Sequence, residues 1–394
     1  MAVGAGPLFA YQRQGLEDSP PGGRYYAQVA RGLEELAHDE LQELGARGVE
    51  AGPSGLHFRH DAAGLYRVNY ASRLATRVLA PLAEFDCFSA GALYEAARAV
   101  PWEEILSPEK TFAVFANVRD SRVTHSQFAA LRVKDAIADR FRDRCGRRPD
   151  VDAEDPDAWI HLSLRADRAL LSLDASGGSL HRRGYRQRTV AAPLQETLAA
   201  ALVRLSGWQG ERPLVDPLCG SGTILAEACL HYCRIASAFR RERFGFELLP
   251  DFDAAAWAGV RRELDAARRP LPQGLIRGSD IDRQAVAAAR ENLRQIPGTR
   301  GLAVERKDFR ELPGIEGATI VCNPPYGVRV GEAEQALALM KEFGDFLKKR
   351  CQGSTAYVLC NSADMVRAVG LKPARRFVLF NGPLECRLLK IEIF

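Results

Sequence analysis

The chain has 394 residues, 46% of them hydrophobic, and its 54 basic and 50 acidic side chains give a formal net charge of +4. This length and composition exclude a single small domain and a disordered protein, and they favour about two or three globular units. The net charge is too small to indicate nucleic-acid binding by itself, so local clusters of basic residues must carry that argument.

The cysteines, nine in all, are scattered without a Cys-x-x-Cys pair, which predicts reduced thiols in a cytosolic protein. Cys229, His231 and Cys233 lie close in sequence, but no second ligand pair is evident, so core packing is preferred over a metal site. No run approaches the roughly 20 apolar residues of a membrane span, and the N-terminus lacks signal-peptide features. We therefore expect a cytoplasmic protein with no metal and no membrane contact.

The N-terminal region divides into two parts. Residues 1–24 contain several prolines and glycines without periodicity, which predicts a flexible extension. Residues 25–64 then show a strand, a helix over 32–44 and a second strand over 55–60, which predicts a small α+β segment.

Residues 65–176 predict a further α+β domain. A strand is expected at 112–115 and a helix at 126–144, with a hairpin formed by 159–164 and 169–173 across a polar turn. The helix assignment depends on four apolar positions, which are Phe128, Leu131, Ile137 and Phe141. This domain could bind a ligand or could only support the C-terminal region, and the pattern of elements does not decide between the two.

The C-terminal region, 177–394, alternates strands and helices, which predicts an α/β domain with a parallel sheet covered on both faces. The strand candidates are 214–215, 275–278, 303–305, 319–321, 357–359, 377–379 and 387–393. The last two flank an Asn381-Gly382-Pro383 turn, so a terminal hairpin and one reversed edge strand are expected. Ligands of such sheets bind beyond the carboxyl ends of the strands, where the strand order switches.

One candidate site follows the first strand of this region. Asp216 ends the strand, and a glycine-rich turn and a helix come next. The turn and its flanks comprise Pro217, Cys219, Gly220, Ser221, Gly222 and Thr223. Glycines let a ligand approach the backbone closely, while the preceding carboxylate suits a cationic ligand better than a pyrophosphate. An ordinary β-to-α turn is the alternative.

A second candidate site is Asn323-Pro324-Pro325-Tyr326, directly after a buried strand. The prolines stiffen the turn and leave carbonyl oxygens free, Asn323 adds an amide and Tyr326 a flat ring. These groups suit the binding of a planar amino group. A simple strand-terminating turn is the alternative.

A basic stretch over 181–188 precedes both motifs. Its sequence is His-Arg-Arg-Gly-Tyr-Arg-Gln-Arg, with Arg182, Arg183 and Arg186 able to pair with phosphates and Tyr185 able to stack on a base or a cofactor. A solvated linker would also be rich in arginine.

Together, these motifs resemble the class I S-adenosylmethionine-dependent methyltransferases that modify exocyclic amino groups of bases. Their order, with Gly278-Ser279-Asp280-Ile281-Asp282 between them, is similar to that in the bacterial 23S rRNA guanine-N2 methyltransferases, and the resemblance is especially close to the N-terminal, RlmL-like half of their two-headed form. The resemblance runs from about residue 25 to the end and includes an RNA-binding THUMP domain over 65–176.

The resemblance implies a seven-stranded Rossmann-like methyltransferase domain, with S-adenosylmethionine as cofactor and large-subunit rRNA or its precursor as partner. It implies that Asp280 accepts hydrogen bonds from the cofactor ribose, Ile281 packs on adenine and Asp308 accepts the adenine amino group. For Asp308 the alternative is a solvated loop carboxylate, whereas Asp282 suits helix capping. Lys134 joins the RNA-contact candidates. The two-headed relatives carry a second methyltransferase beyond Phe394, so a stand-alone relative or a fragment is expected.

The implied reaction transfers a methyl group to guanine N2, with Asn323, Pro324, Pro325 and Tyr326 as the catalytic set. Three alternatives stay open, namely a tRNA guanine-N2 methyltransferase, an adenine-N6 methyltransferase and a noncatalytic RNA-binding factor that retains the fold.

Overall fold

The computed structural model describes residues 9–12, 22–189, 193–326 and 332–394. The chain divides into two compact units that are discontinuous in sequence. Unit 1 consists of Met1–Val29, Ala37–Leu180 and Arg241–Arg262, and unit 2 consists of Ala30–Leu36, His181–Arg240 and Glu263–Phe394.

Unit 1 is built on one mixed sheet. Its strands are β1 (Gly23–Val29), β2 (Arg47–Gly52), β3 (Gly55–His60), β4 (Ala75–Asp86), β5 (Thr111–Arg119), β6 (Asp150–Val151), β7 (Ala158–Arg165) and β8 (Arg168–Asp174). Its helices are α1 (Glu34–Glu43), α2 (Ala62–Ala71), α3 (Ala90–Ala99) and α4 (Ser126–Cys145), of which α1 begins in the segment Ala30–Leu36 of unit 2. The strand order is β2-β3-β1-β4-β8-β7-β5-β6. The predicted hairpin is β7 and β8, and its turn residues Ala166 and Asp167 have φ of 48° and 60°, as a two-residue turn of this hand requires.

Strand β4 joins the two segments that were predicted as separate, 25–64 and 65–176. It pairs antiparallel with β1 on one side and with β8 on the other, so one sheet runs through both. The sequence prediction missed this strand. Pro81 lies in its middle, where the register with β8 shifts, and a proline inside an apolar run argues against a central strand.

Helix α4 buries a different face from the one predicted. Ile137 and Phe141 are buried, but Phe128 and Leu131 are 48% and 47% exposed. The buried stripe instead begins with the small residues Ala129 and Val133. Residues four apart share a helix face, so Ala129 and Val133 lie on the same buried face as Ile137 and Phe141. The sequence prediction gave too much weight to the large apolar side chains in the first turns of the helix.

Residues 241–262 fold with unit 1 and not with the predicted domain 177–394. Their aromatic side chains surround Tyr66 of α2, whose ring centroid lies 4.6 Å from Phe246 and 6.2 Å from Trp257. Tyr70 contacts the Trp257 ring at 5.4 Å. The free energy gained by burying several rings in one cluster exceeds the entropic cost of closing the long loop between them.

The prediction of a flexible extension over 1–24 is wrong for two segments, residues 9–12 and residues 23–24. Phe9 and Tyr11 are buried, and the Tyr11 ring stacks on Tyr25 of β1 at 5.8 Å. The Tyr11 hydroxyl donates to Asp251, and β1 already begins at Gly23. Residues 1–8 and 13–21 lie outside the described part of the chain.

Unit 2 holds a doubly wound sheet. Its strands are β9 (Leu214–Asp216), β10 (Ile276–Asp280), β11 (Ala303–Arg306), β12 (Thr319–Cys322), β13 (Thr355–Cys360), β14 (Arg375–Asn381) and β15 (Leu384–Glu392). The helices from residue 193 onward are α5 (Glu196–Leu205), α6 (Thr223–Tyr232), α7 (Ala254–Ala266), α8 (Arg283–Leu293), α9 (Glu332–Arg350) and α10 (Ala363–Ala368), of which α7 begins in unit 1.

The strand order in unit 2 is β11-β10-β9-β12-β13-β15-β14. Strands β9 to β13 are parallel, and β15 is antiparallel to both of its neighbours. The seven predicted strands are therefore present, but the reversed strand is second from the edge and not at it. The hairpin at Asn381-Gly382-Pro383 explains this, since the last strand can turn back and pair with β13.

The core of unit 2 lies between the sheet and α9. Ile320 of β12 and Val358 of β13 are buried against Phe343 and Leu347 of the helix. Gly344 permits close packing, because a Cβ there would come within 1.9 Å of the Val369 carbonyl oxygen. Among the described helices, none combines the length and apolar character that a membrane crossing needs.

We predict that His161 makes unit 1 sensitive to acid. This side chain of β7 is mostly buried, and burial lowers its pKa to about 4. Between pH 6.5 and 4 the unfolded chain binds a proton that the folded chain does not, so stability falls as pH falls, by about 3 kcal/mol at most. Urea unfolding of wild type and His161→Gln at pH 7 and 4.5 measures this loss. An equal loss in both proteins would contradict the assignment.

Candidate active site

The carboxyl ends of β10, β9 and β12 meet at one edge of the unit 2 sheet. Gly278 of β10 lies opposite Asp216 of β9, and Ile320 of β12 lies opposite Val215. The strand order reverses between β9 and β12, which is the ligand-binding position of such sheets. Asp216, Asp280 and Asn323 thus end three adjacent strands, and the structure brings the two predicted motifs together.

The glycine-rich turn links β9 to α6. Gly220 and Gly222 have φ of 52° and 80°, a conformation that favours glycine. A Cβ on Gly222 would lie 3.1 Å from the Ala289 Cβ, whereas a Cβ on Gly220 would meet nothing within 4 Å. Gly222 therefore serves helix packing, and Gly220 leaves open space beside the N-terminus of α6. Cys219, Ser221 and Thr223 are buried around it.

Asp216 is a buried carboxyl group that is 1% exposed. The Leu218 amide donates to its Oδ1 at 3.1 Å. Burial raises the pKa of Asp216 well above its usual range, and the nearby negative charge of Asp280 raises it further. A cationic ligand beside Asp216 would favour the ionised form, so this position is suited to a positively charged group.

Asp280 holds the turn as well as facing the site. Its Oδ2 accepts the Gly220 amide at 2.9 Å, and its Oδ1 accepts the Asp282 amide at 2.9 Å. Each carboxylate oxygen keeps a further acceptor position, which two hydroxyl groups of a ligand could use. The next residue, Ile281, is 60% exposed. Asp282 caps α8 by accepting the Gln284 amide, as predicted.

Asp308 is not a solvated loop carboxylate. It is largely buried and begins a short 3₁₀ turn by accepting the Arg310 amide at 2.9 Å. The Arg310 guanidinium also donates to its Oδ2 at 2.7 Å. The alternative interpretation is therefore wrong, and a contact to an adenine amino group stays a prediction for the remaining acceptor positions.

In the Asn323-Pro324-Pro325-Tyr326 turn, Asn323 is half-buried, Pro324 buried and Pro325 exposed. The Tyr326 hydroxyl donates to Asn323 Oδ1, and the ring packs partly against the core of the sheet. Burial raises the pKa of Tyr326, so the phenol stays protonated. The sequence indicated only a flat ring at Tyr326 and did not reveal this orientation of the asparagine amide. The residues that follow, 327–331, lie outside the described part of the chain.

The basic stretch over 181–188 is mainly structural. Arg183 and Tyr185 are buried, and both donate to the buried carboxylate of Glu227, at 3.4 Å and 3.1 Å. The prediction that they contact RNA is wrong, because neither side chain reaches the surface. Arg182 is exposed, and its RNA contact stays a prediction.

Arg186 braces the glycine-rich turn. Its guanidinium pairs with Glu196 at 2.8 Å and donates to the Thr223 hydroxyl at 3.1 Å and the Ser221 hydroxyl at 3.4 Å. On α8, Asn292 donates to the Ser221 carbonyl oxygen at 3.1 Å. Arg186 was predicted to bind phosphate, but these contacts direct it inward. A basic run ahead of the two motifs gives no sign of this in sequence.

Two further assignments concern residues outside the motifs of the site. Lys134 is on α4 in unit 1, where it pairs with Asp135 at 3.0 Å, and its RNA contact stays a prediction. Cys229 of α6 and Cys233, at the C-terminal cap of that helix, are buried with their sulfur atoms 3.9 Å apart.

Three regions match known families. Residues 183–390 match the RMKL-like methyltransferase domain, 89–174 the THUMP domain and 24–79 the RlmL ferredoxin-like domain. The "Putative RNA methyltransferase slr0064" of Synechocystis sp. is 42% identical over 372 residues, which are 94% of this chain and 97% of that protein. The chain belongs to the THUMP-containing, RMKL-like methyltransferase family.

Longer relatives share the same region. The "Ribosomal RNA large subunit methyltransferase K/L" of Syntrophotalea carbinolica is 41% identical over 383 residues, 94% of this chain and 53% of that protein. This RMKL-like methyltransferase thus spans about half the length of the K/L relatives. The crystal structure of SMU.472 complexed with SAH has a TM-score of 0.83 and 28% identity, covering 94% of this chain and 98% of that one. The predicted family and fold are confirmed, and the SAH agrees with the predicted cofactor, S-adenosylmethionine.

The residues of the site fit S-adenosylmethionine. Gly220 leaves open space next to the turn, and the buried Asp216 lacks a positive partner among the described residues. Asp280 keeps acceptor positions for two hydroxyl groups, and the exposed Ile281 offers an apolar surface for a flat ring. Asp216 suits the charged part of the cofactor, the acceptor positions of Asp280 suit its sugar, and the surface of Ile281 suits its aromatic ring.

We predict that Asp216→Asn weakens the binding of S-adenosylmethionine at least about tenfold, because Asn keeps the Leu218 hydrogen bond but loses the charge. Since the pKa of Asp216 is raised, wild-type affinity should fall as pH falls through that pKa, and the variant should lack this dependence. Titration calorimetry over a series of pH values measures both effects. The control is Asp282→Asn, in which asparagine caps equally well. Equal affinity in Asp216→Asn and wild type would refute the role.

We predict that Arg186→Lys loosens the turn. Lysine can still neutralise Glu196 but cannot also reach Ser221 and Thr223, so cofactor affinity should fall about tenfold with a small change in thermal midpoint. The matched control is Arg188→Lys, because Arg188 forms an exposed ion pair with Glu291. Calorimetry measures the cofactor affinity and thermal unfolding measures the stability. Unchanged affinity in Arg186→Lys would contradict the inference that Arg186 stabilises the turn.

Proposed function

We propose that this methyltransferase transfers a methyl group from S-adenosylmethionine to the exocyclic N2 amino group of a guanine in 23S rRNA. The observation that carries the proposal is the Asn323-Pro324-Pro325-Tyr326 turn, with Tyr326 orienting Asn323, next to the buried Asp216 at the switch in strand order. The names of the K/L relatives support large-subunit rRNA as the substrate class.

The cofactor would be held by the glycine-rich turn, Asp216, Asp280, Ile281 and Asp308. When bound, S-adenosylmethionine supplies an electrophilic methyl group on a sulfonium. Beside it, Asn323 Oδ1 has a second lone pair, since Tyr326 uses only one. Among the described residues, none donates a hydrogen bond to the Pro324 carbonyl oxygen, so it is also available as an acceptor.

The turn would position and polarise a weak nucleophile. The lone pair of a guanine amino group is shared with the ring, so geometry must supply much of the rate enhancement. Asn323 Oδ1 and the Pro324 carbonyl would accept the two amino hydrogens, which aims the lone pair and favours the positive charge that develops on nitrogen. The exposed Pro325 and the accessible part of Tyr326 would contact the base. No general base is required, because the methylated amino group loses its proton to water.

Other substrates fit the same turn. An adenine N6 amino group has the same planar geometry, and a tRNA guanine would present the same atoms as an rRNA guanine. A noncatalytic RNA-binding factor is disfavoured by the ordered set of Asp216, Gly220, Asp280 and Asn323. The longer K/L relatives further support a partnership with a second methyltransferase module, either fused or separate.

We predict that the protein with labelled S-adenosylmethionine forms N2-methylguanosine in unmodified 23S rRNA, identified by digestion and nucleoside analysis. Asn323→Ala should lower turnover at least about a hundredfold with little change in cofactor affinity, because its hydrogen bond acts at the reacting nitrogen. Tyr326→Phe should lower turnover about tenfold, since it only orients Asn323.

The products separate the possible substrates. N6-methyladenosine, or label only in total tRNA, would overturn the guanine or the rRNA assignment while keeping the chemistry. Near-wild-type turnover in Asn323→Ala would refute the role of the turn. Cofactor binding without label in naked rRNA, tRNA or the large-subunit precursor would favour a noncatalytic factor.

A further inference from the structure

The Asp308 carboxylate is fixed by two hydrogen bonds that come from one residue. Its Oδ1 accepts the backbone amide of Arg310 at 2.9 Å, and its Oδ2 accepts the Arg310 guanidinium at 2.7 Å. The carboxylate is largely buried, and among the described residues Arg310 is the one cation that pairs with it. A single arginine therefore sets the direction of both carboxylate oxygens, one through its backbone and the other through its side chain.

The same guanidinium also binds a carboxylate of α9. Its Nε donates to Glu342 Oε2 at 2.6 Å, and its Nη2 pairs with the same oxygen. Its Nη1 donates to Asp308, so one planar group bridges carboxylates on two different elements. A single exposed ion pair adds little stability, but a rigid guanidinium that bridges two acceptors fixes their directions. Asp308 is thereby tied to the middle of α9.

Other contacts hold the backbone of this segment on α9. The buried Phe309 ring has its centroid 5.3 Å from that of Phe343 on the helix. Arg350, at the end of the helix, donates to the Leu312 carbonyl oxygen at 3.0 Å. Neither contact is made by the guanidinium that binds the carboxylate. Removal of that guanidinium should therefore free the carboxylate and leave the turn folded.

A carboxylate fixed in this way can distinguish between purine rings. An ionised carboxylate only accepts hydrogen bonds, and each of its oxygens has two acceptor positions. Arg310 fills one position on each oxygen of Asp308, so one position stays free on each. Adenine presents a donor amino group on its six-membered ring, whereas hypoxanthine has a carbonyl oxygen at the same place. The carboxylate therefore attracts the first ring and repels the second.

We infer that Arg310, anchored by Glu342, is a positioning residue that aims the Asp308 carboxylate at the adenine amino group of the cofactor. Arg310 acts through the direction of this carboxylate and not by contact with the cofactor. It therefore controls which purine is accepted, because only a ligand with a donor at that place gains from the carboxylate. The inference rests on the cofactor contact of Asp308 within the proposed function, and not on the identity of the base that is methylated.

The test compares S-adenosylhomocysteine with S-inosylhomocysteine, which carries a carbonyl oxygen in place of the amino group, by titration calorimetry on the full chain. Wild type should bind the adenine ligand at least about tenfold more tightly. In Arg310→Gln this ratio should fall about fivefold, because the freed carboxylate can rotate away. Arg310→Lys should recover only part of the ratio, since lysine reaches one carboxylate at a time. Asp308→Asn should bind both ligands almost equally, because its amide can accept or donate.

The anchor on α9 and a matched control complete the set of variants. Glu342→Ala should lower the same ratio, and its combination with Arg310→Gln should lower it little further, because both changes break one network. The control is Arg367→Gln, since Arg367 forms an exposed ion pair with Asp364 on α10. It should keep the ratio within about twofold of wild type, as expected for a surface pair. Thermal unfolding shows whether each variant is folded.

The outcomes distinguish this inference from the proposed function. If Arg310→Gln weakens both ligands by the same factor, or neither, the arginine only supports the fold and the inference is overturned. If Asp308→Asn keeps the wild-type ratio, the adenine contact itself is wrong and the inference fails with it. If the ratio falls in Arg310→Gln while labelled RNA yields a product other than N2-methylguanosine, the inference stands and the proposed function fails.

Discussion

The buried carboxyl group of Asp216 constrains everything around it. A carboxylate removed from water is costly, and here a backbone amide is its partner in place of a cation. The fold tolerates this because Asp216 ends a central strand with strands on both sides, so the group cannot turn outward without breaking the sheet. The site therefore lacks one positive charge. Binding of a ligand that supplies this charge is favourable in free energy.

Neighbouring residues keep the site in this state by fixing the backbone around it. Asp280 ties the Gly220 amide to the next strand, Arg186 secures the two hydroxyl groups at the start of α6, and Asn292 holds the carbonyl between them. A ligand that meets such a turn loses little free energy in ordering it. Part of the charge in the basic stretch thus serves geometry, since Arg183 and Arg186 turn inward.

Sequence reasoning recovered the features that local chemistry determines. The strand ends at Asp216, Asp280 and Asn323 were predicted from apolar runs followed by polar turns, and all three lie at one edge of the sheet. It failed where a distant contact decides, since Arg183 is drawn inside by Glu227 on another element. It also missed two local features, the hydrogen bond between Tyr326 and Asn323, which no spacing rule indicates, and the central strand that contains Pro81.

The interleaving of the two units has a consequence for how the gene can be divided. Because 241–262 completes the aromatic cluster around Tyr66, no single cut yields two whole domains. A fragment ending at residue 180 would expose the rings of Tyr66 and Tyr70 to water, and a fragment beginning there would carry Phe246 and Trp257 without their partners. Exchange of the THUMP-containing and methyltransferase parts as separate cassettes would therefore yield aggregation-prone, poorly expressed proteins, and inheritance as one block is the physically favoured route.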